Sequence, residues 1–295
     1  MTHFQCCSFG KEAWAILSDI ERSIKTKVES IGVPLKDWDV EIYRGVLTGY
    51  NDAFIISSEK RDEILDNCAD DDERKRTSAI IRPILRGRDI KRYGYEFADQ
   101  YLIATFPSRQ YNIDDYQALK SFLLSFGMER LEQTGKEYII DGEKVKSRKK
   151  TNNKWFETQD SISYWDDLDK TKIVWIELSD ESKFAICDKY IPINTVFFLT
   201  GQHLSHILGL LNSKLINWYF KNCLGTSSGV GTNRWLKYTV ELLPLLSYDS
   251  DIETLVNTRL SFETDHDSIE FQIDNTICAK YGLSKEESEF ILGNM

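Results

Sequence analysis

Apolar residues recur at three- and four-residue spacing through Trp14, Leu17, Ile20, Ile24, Val28 and Ile31, the period of an amphipathic helix, and Gly32-Val33-Pro34 supplies its stop. A helix with one apolar face needs a surface to cover it. Asp39–Val46 alternates like a half-buried strand, Thr48-Gly49-Tyr50-Asn51-Asp52 reads as a turn and Ala53-Phe54-Ile55-Ile56 as a second strand, so the three together predict a hairpin. The acidic stretch that follows, ending in Asp70-Asp71-Asp72-Glu73, reads as an exposed helix or loop.

Tyr101–Phe106 is a short apolar run closed by Pro107, and Tyr116, Leu119, Phe122, Leu123 and Phe126 mark one helix face. Lys172–Leu178, Phe184–Cys187 and Thr195–Leu199 are rich in β-branched and aromatic residues and predict strands. The best helical stripe runs from Leu204 through Ile207, Leu208, Leu211, Leu215, Trp218 and Tyr219 into a Gly/Ser-rich loop, Gly225–Thr232. Strands and helices mix without a regular βαβ beat, so the fold class expected is α+β: a mixed sheet with flanking helices and a small helical C-terminal appendage. The expected organisation is a connecting helix over 1–37, a central domain over 38–245 and an acidic helical tail over 246–295, with no internal repeat.

Charge changes this picture more than composition does. The chain has 295 residues and a formal net charge of −10, but the acidity is concentrated. Glu59–Glu73 carries eight acidic residues against two basic, and Asp249–Met295 eleven against three. The remainder is basic. Arg74–Arg92 holds eight cations against Asp89 alone, and Lys144–Lys154 holds six against none. A single run of this kind reads equally well as a solvated loop; two, with aromatic neighbours, point to a polyanion partner. The stretch Ile81–Tyr93, with cations packed around Pro83 and Gly87, makes a poor core and a ready surface for phosphate. For Arg86-Gly87-Arg88-Asp89 the competing reading is an internal turn fixed by an Arg–Asp pair.

Several chemistries find little support. Six cysteines lie scattered without a C-x-x-C pair, which fits idle thiols in a reducing compartment, and no metal site is expected. His203 and His206 read as one turn of an ordinary helix. No apolar run approaches the roughly 20 residues of a membrane span, and the first residues lack a signal-peptide pattern, so a cytoplasmic location is expected. Gly225–Thr232 lacks the Lys-Ser/Thr ending of a phosphate loop; with Arg234 beside it, a mobile connection or a DNA-contacting loop fits better. Glu181-Ser182-Lys183, with Asp166 and Asp167 upstream, is a remote match to a metal-dependent nuclease element. No catalytic residue, cofactor-binding motif or active site is expected in this chain.

Five segments in order carry a resemblance: Ile42–Phe54, Arg82-Pro83-Ile84-Leu85-Arg86-Gly87-Arg88-Asp89-Ile90, Trp155-Phe156-Glu157-Thr158-Gln159, Leu211-Asn212-Ser213-Lys214-Leu215 and Leu242-Leu243-Pro244. Across 38–245 the chain resembles the TaqI-like C-terminal specificity domain, the target-recognition part of type IIG restriction-modification enzymes and related adenine-N6 DNA methyltransferases. The ending Tyr281–Glu287 is similar to the helical tail that often follows it. Enzymes of that family place a methyltransferase domain upstream, with an S-adenosylmethionine loop and an Asn-Pro-Pro-Tyr-type motif, and neither is found here. The expectation is a truncated piece, a split gene or a separate specificity subunit, acting on double-stranded DNA with a methyltransferase, and possibly a nuclease, domain or subunit.

On this resemblance Arg86, Arg88, Lys91, Arg92, Lys146, Arg148, Lys149, Lys150 and Lys154 become candidates for phosphate contact, and Arg44, Arg148 or Arg234 for guanine edges. Trp155 and Phe156 read as core at the start of a strand rather than as a base-stacking platform. The competing class is a protein-interaction module that docks a partner subunit through the Trp14–Ile31 helix and the acidic tail, leaving the DNA to that partner.

Overall fold

Lys172–Ile176 forms the strand that its β-branched and aromatic residues predict, and it pairs antiparallel with two further strands, Phe184–Cys187 on one side and Val196–Gly201 on the other. Val40–Arg44 pairs with Val196–Gly201 over five residues, completing a four-stranded antiparallel sheet. A second four-stranded sheet runs in the order Ile191–Pro192, Ile81–Leu85, Gln100–Ile103, Ile55–Ser57. Its first pair is parallel and the other two antiparallel, so the sheet is mixed. The computed structural model describes residues 17–224, 233–261 and 265–293.

Both sheets belong to one compact unit made of residues 39–178 and 183–204. Val46, Phe54, Ile84, Leu85, Leu102, Leu119, Val174 and Phe198 are fully buried there in a single apolar cluster. The stretch Ile81–Tyr93 is therefore only half the surface that its charges suggest. Ile81, Ile84 and Leu85 are core residues of a central strand.

The expected hairpin over 39–56 does not form. Val40–Arg44 lies in the first sheet and Ile55–Ser57 in the second, with a helical turn, Asn51–Phe54, between them. Gly45 packs so closely on Pro192 that a Cβ would lie 2.7 Å from its carbonyl carbon, and Val46 bridges to Ile193, which carries the chain from one sheet to the other. Burying Ala53 and Phe54 favours the helical turn over a continued strand.

The acidic stretch resolves into two helices, Ser58–Asp66 and Asp71–Ile80, capped by the side chains of Ser57 and Asp70. Asp71, Asp72 and Glu73 occupy the first turn of the second helix, where its dipole favours negative charge. Glu73 is buried and accepts the backbone N–H groups of Ala69 and Ala118, both at 2.8 Å. Glu137–Ile140 and Glu143–Lys146 form a hairpin through Asp141 and Gly142, both at positive φ (52° and 85°), the geometry of an Asp-Gly turn.

The other unit gathers the described residues up to Trp38, 179–182 and those from 205 onward. Residues 205–245 fall in this unit together with the N-terminal and C-terminal helices. Helix Asp19–Ile31 opens on a capping box of Ser18 and Glu21 and buries Ile24 and Val28; Trp14 lies outside the described residues. Val33–Pro34 pairs with Pro244–Leu245. The long apolar stripe is two helices, Leu204–Asn212 and Lys214–Tyr219, because Ser213 caps the second by accepting the Ile216 N–H. Ser250–Leu260, His266–Lys280 and Lys285–Gly293 make up the helical tail. Lys27 and Ser23 both donate to Glu287 at 2.6 Å. Burial raises the Glu287 carboxyl, but hydrogen bonds from Lys27, Ser23 and the Ser284 backbone outweigh it and hold the group at about 2. Among the described residues no helix is long and apolar enough to cross a membrane.

Candidate nucleic-acid interface

Arg86 and Arg88 enter a 3₁₀ turn, Gly87–Asp89, at the end of the central strand Ile81–Leu85. The turn is tight against the first sheet. A Cβ on Gly87 would lie 2.5 Å from the Ile176 Cδ1. Arg86 closes it with a bidentate pair to Asp89, Nε to Oδ2 at 2.7 Å and NH2 to Oδ1 at 2.9 Å, and its NH1 donates to Gln100 at 3.1 Å. Arg86 thus follows the internal-turn reading, while Arg88 stays exposed. Lys91 pairs with Glu96, and the Arg92 guanidinium lies 5.3 Å from the Tyr93 ring centroid.

An open cavity of about 490 Å³ sits beside this turn, lined by Arg86, Arg88, Asn51, Asp52, Gln100 and Asn194. Arg44, at the end of its strand, donates from Nε to the Asn194 carbonyl at 3.1 Å and lies 3.8 Å from Glu177. Half of its side chain remains exposed. Donors and acceptors are mixed along this cavity, as reading a base edge requires.

Arg148 overturns its sequence assignment. It is 4% exposed, and all five of its N–H groups point at backbone carbonyls: Leu131 twice, Thr48, Glu157 and Trp155, at 2.5–3.1 Å. It can reach neither a phosphate nor a guanine. Burial pulls the guanidinium down to about 10, against the opposing pull of the Glu157 carboxylate. Within a basic run a buried arginine and a DNA-reading arginine look alike. The signal lay in the segment after it, where Trp155-Phe156 supplies an apolar wall and Phe156 is buried. That segment is a turn rather than the expected strand start.

What Arg148 does is hold its neighbours in place. It ties the carbonyl of Thr48, ahead of the left-handed Gly49 (φ +77°), to the end of helix Met128–Leu131 and to the 155–157 turn. Around it a second cavity of about 290 Å³ is lined by Gly49, Tyr50, Arg130, Lys144, Lys146 and Arg148. Arg130, which the sequence reading missed, is exposed beside Tyr50, whose side chain raises the affinity of the guanidinium for its proton. Lys146, Lys149 and Lys150 are exposed; Lys154 is exposed too, with Nζ 4.0 Å from Glu157. The segment Gly49–Asp52 lines both cavities, Gly49 and Tyr50 on one side and Asn51 and Asp52 on the other. The two basic segments, more than fifty residues apart in sequence, are thus brought to the two sides of one short loop.

The remaining candidates fall elsewhere. Arg234 is exposed in the short strand Asn233–Arg234 of the helical unit, and the Gly225–Thr232 loop lies outside the described residues. Asp167 accepts the Tyr43 hydroxyl at 2.8 Å and Lys170 at 2.7 Å, a structural use for one of the nuclease-like carboxylates. His206 is buried with Nε2 3.1 Å from the Leu246 carbonyl, and His203 precedes the helix with a left-handed φ of 53°. Among the described residues no three His, Cys, Asp or Glu side chains gather as a metal-binding group.

No curated protein matches the sequence. Two solved structures share the fold at 12% identity: the Type IIL restriction-modification enzyme MmeI in complex with DNA (TM-score 0.56) and the type IIG restriction endonuclease BpuSI (TM-score 0.55). The matches cover 89% and 93% of this chain but 36% and 32% of those chains, so this chain spans about a third of their length. The family model of the TaqI-like C-terminal specificity domain matches residues 82–245, more than half of the sequence. The chain belongs to the TaqI-like C-terminal specificity domain family, whose role in restriction-modification is DNA target recognition.

Proposed function

We propose that this chain reads the target sequence for a linked adenine-N6 DNA methyltransferase of a type IIG-like restriction-modification enzyme in the cytoplasm. S-adenosylmethionine belongs to the linked catalytic domain and not to this chain. The observation that carries the reading is the Gly49–Asp52 loop, which has Arg86 and Arg88 on one flank and Arg130, Lys144 and Lys146 on the other. A duplex laid along such a loop meets cations on both sides and a mixed set of donors and acceptors between them. A methyltransferase must extrude its target base, and a second domain gripping the duplex keeps the register while that base leaves the stack.

In this reading Arg88, Lys91, Arg92, Lys146, Lys149, Lys150 and Lys154 contact phosphates, and Arg44 and Arg234 are the base-reading candidates. The test is selection of bound duplexes from a randomised pool with the whole chain, followed by titration of selected and scrambled duplexes. Arg44→Ala should cost roughly 1–3 kcal/mol on the selected duplex and much less on the scrambled one, because only a base contact discriminates. A pool that yields no enriched sequence would sink the proposal.

A further inference from the structure

Three arginines of the first basic stretch and its surroundings remain outside the interface just described: Arg76 on helix Asp71–Ile80, Arg82 on strand Ile81–Leu85 and Arg109 in the turn Pro107–Arg109. All three line a third cavity, of about 360 Å³, together with Tyr111, Trp165 and Asp169. This cavity shares no lining residue with the other two. Its one carboxylate, Asp169, is already paired with Arg82, so three guanidinium groups face one acid. Arg76 donates to the Asp115 carbonyl at 3.3 Å, and the Arg109 guanidinium carbon lies 3.9 Å from the Trp165 ring centroid. An arginine stacked in this way is fixed by its face and keeps its N–H edge for an anion.

We propose that this cavity is a binding site for a single nucleotide unit, whose phosphate meets Arg76 and Arg109 and whose base lies against Tyr111, beside the Trp165 ring that holds the Arg109 guanidinium on its face. The sign of the charge excludes a metal cation. A bare phosphate would leave the aromatic wall unused, and a neutral aromatic would leave the arginines unanswered. The volume lies at the lower end of the range of small-molecule pockets, which suits one nucleotide and not a dinucleotide cofactor. The unit can come from a free nucleotide or from an unpaired DNA strand, where stacking on aromatic side chains is indifferent to sequence.

Calorimetry on the whole chain tests this with adenosine 5′-monophosphate, adenosine, inorganic phosphate and a short single-stranded oligodeoxynucleotide. The expected result is one-site binding of the monophosphate, the oligonucleotide or both, with adenosine and phosphate each about tenfold weaker or worse, since each lacks half of the contacts. Binding of the monophosphate assigns the site to free nucleotides; binding of the oligonucleotide alone assigns it to a strand. Arg109→Ala and Trp165→Leu should each weaken that binding about tenfold. Arg76→Gln, a change on an exposed helix surface that leaves the fold intact, should do the same if Arg109→Ala does not fold. Lys149→Ala with Lys150→Ala should leave monophosphate binding unchanged, which separates this site from the duplex interface. Absence of binding by both ligands, equal binding of inorganic phosphate, or binding that survives Arg76→Gln would overturn the proposal.

Discussion

Between Arg82 and Lys91 the cations face carboxylates: Arg82 pairs with Asp169, Arg86 with Asp89 and Lys91 with Glu96. Between Lys144 and Lys150 the arrangement is reversed. One cation, Arg148, turns inward to carbonyl oxygens, while Lys144, Lys146, Lys149 and Lys150 are exposed with no carboxylate within 4.0 Å among the described residues. Two cation-rich stretches therefore offer a polyanion different things. The first is largely neutralised and acts mainly through its shape and through Arg88; the second presents open positive charge on a support that one buried arginine holds together. Charge density along a sequence measures neither. What matters is which cations the fold has already answered.

Arg148 carries the largest expected effect. Arg148→Ala should destabilise the chain by about 3–5 kcal/mol, because several buried carbonyls lose their donors at once. Urea unfolding measures this, and a loss below about 1 kcal/mol would mean that the arginine does not organise its surroundings. Arg148→Lys should recover little, since an ammonium has three donors and no planar fork to span four carbonyls.

Glu287 offers a paired charge far from either basic segment in sequence, and its pH response calibrates what pairing contributes. Its carboxyl is depressed from 4.5 to about 2 in the folded chain, so its stabilisation is complete above about pH 4.5 and is lost as the pH falls toward 2. The loss should be on the order of 2 kcal/mol and should disappear in Glu287→Gln. An acid limb of the stability curve that is identical in that variant would contradict the assignment. Asp89→Asn comes next. Freeing Arg86 should cost about 1–2 kcal/mol in stability and, by uncovering a cation, strengthen rather than weaken DNA binding. Glu96→Gln should be the mildest, with less than about 0.5 kcal/mol in unfolding, because the Lys91 pair is exposed.

Much of the fold was legible in the sequence, and the misses have physical causes. The strands around 172–199 were readable because buried β-branched and aromatic residues cluster there without competing signals. The hairpin at 39–56 was misread because alternation reports a half-buried strand and not its partner; the partner of Val40–Arg44 lies some 150 residues away at Val196–Gly201. The hairpin at 137–146 was missed although Asp141-Gly142 announces it. The helical stripe after Leu204 was found, but its break at Ser213 was not, although a serine ahead of a new helical turn is a capping signal. At the candidate interface the cations were found, Arg130 excepted, and their orientation was not. Arg148 is the sharpest case, because whether an arginine faces water or carbonyls depends on Thr48, Leu131 and Glu157, and nothing local to 144–154 encodes them.

Whether Lys149 and Lys150 present open charge to DNA phosphates is decided by the salt dependence of duplex binding. Titrations of the whole chain and of the Lys149→Ala, Lys150→Ala double variant at several salt concentrations give the slope of log affinity against log salt. The slope should be shallower by about one to two units in the double variant, equally on selected and scrambled duplexes, because each lost phosphate contact releases about one counterion fewer. An unchanged slope would contradict it.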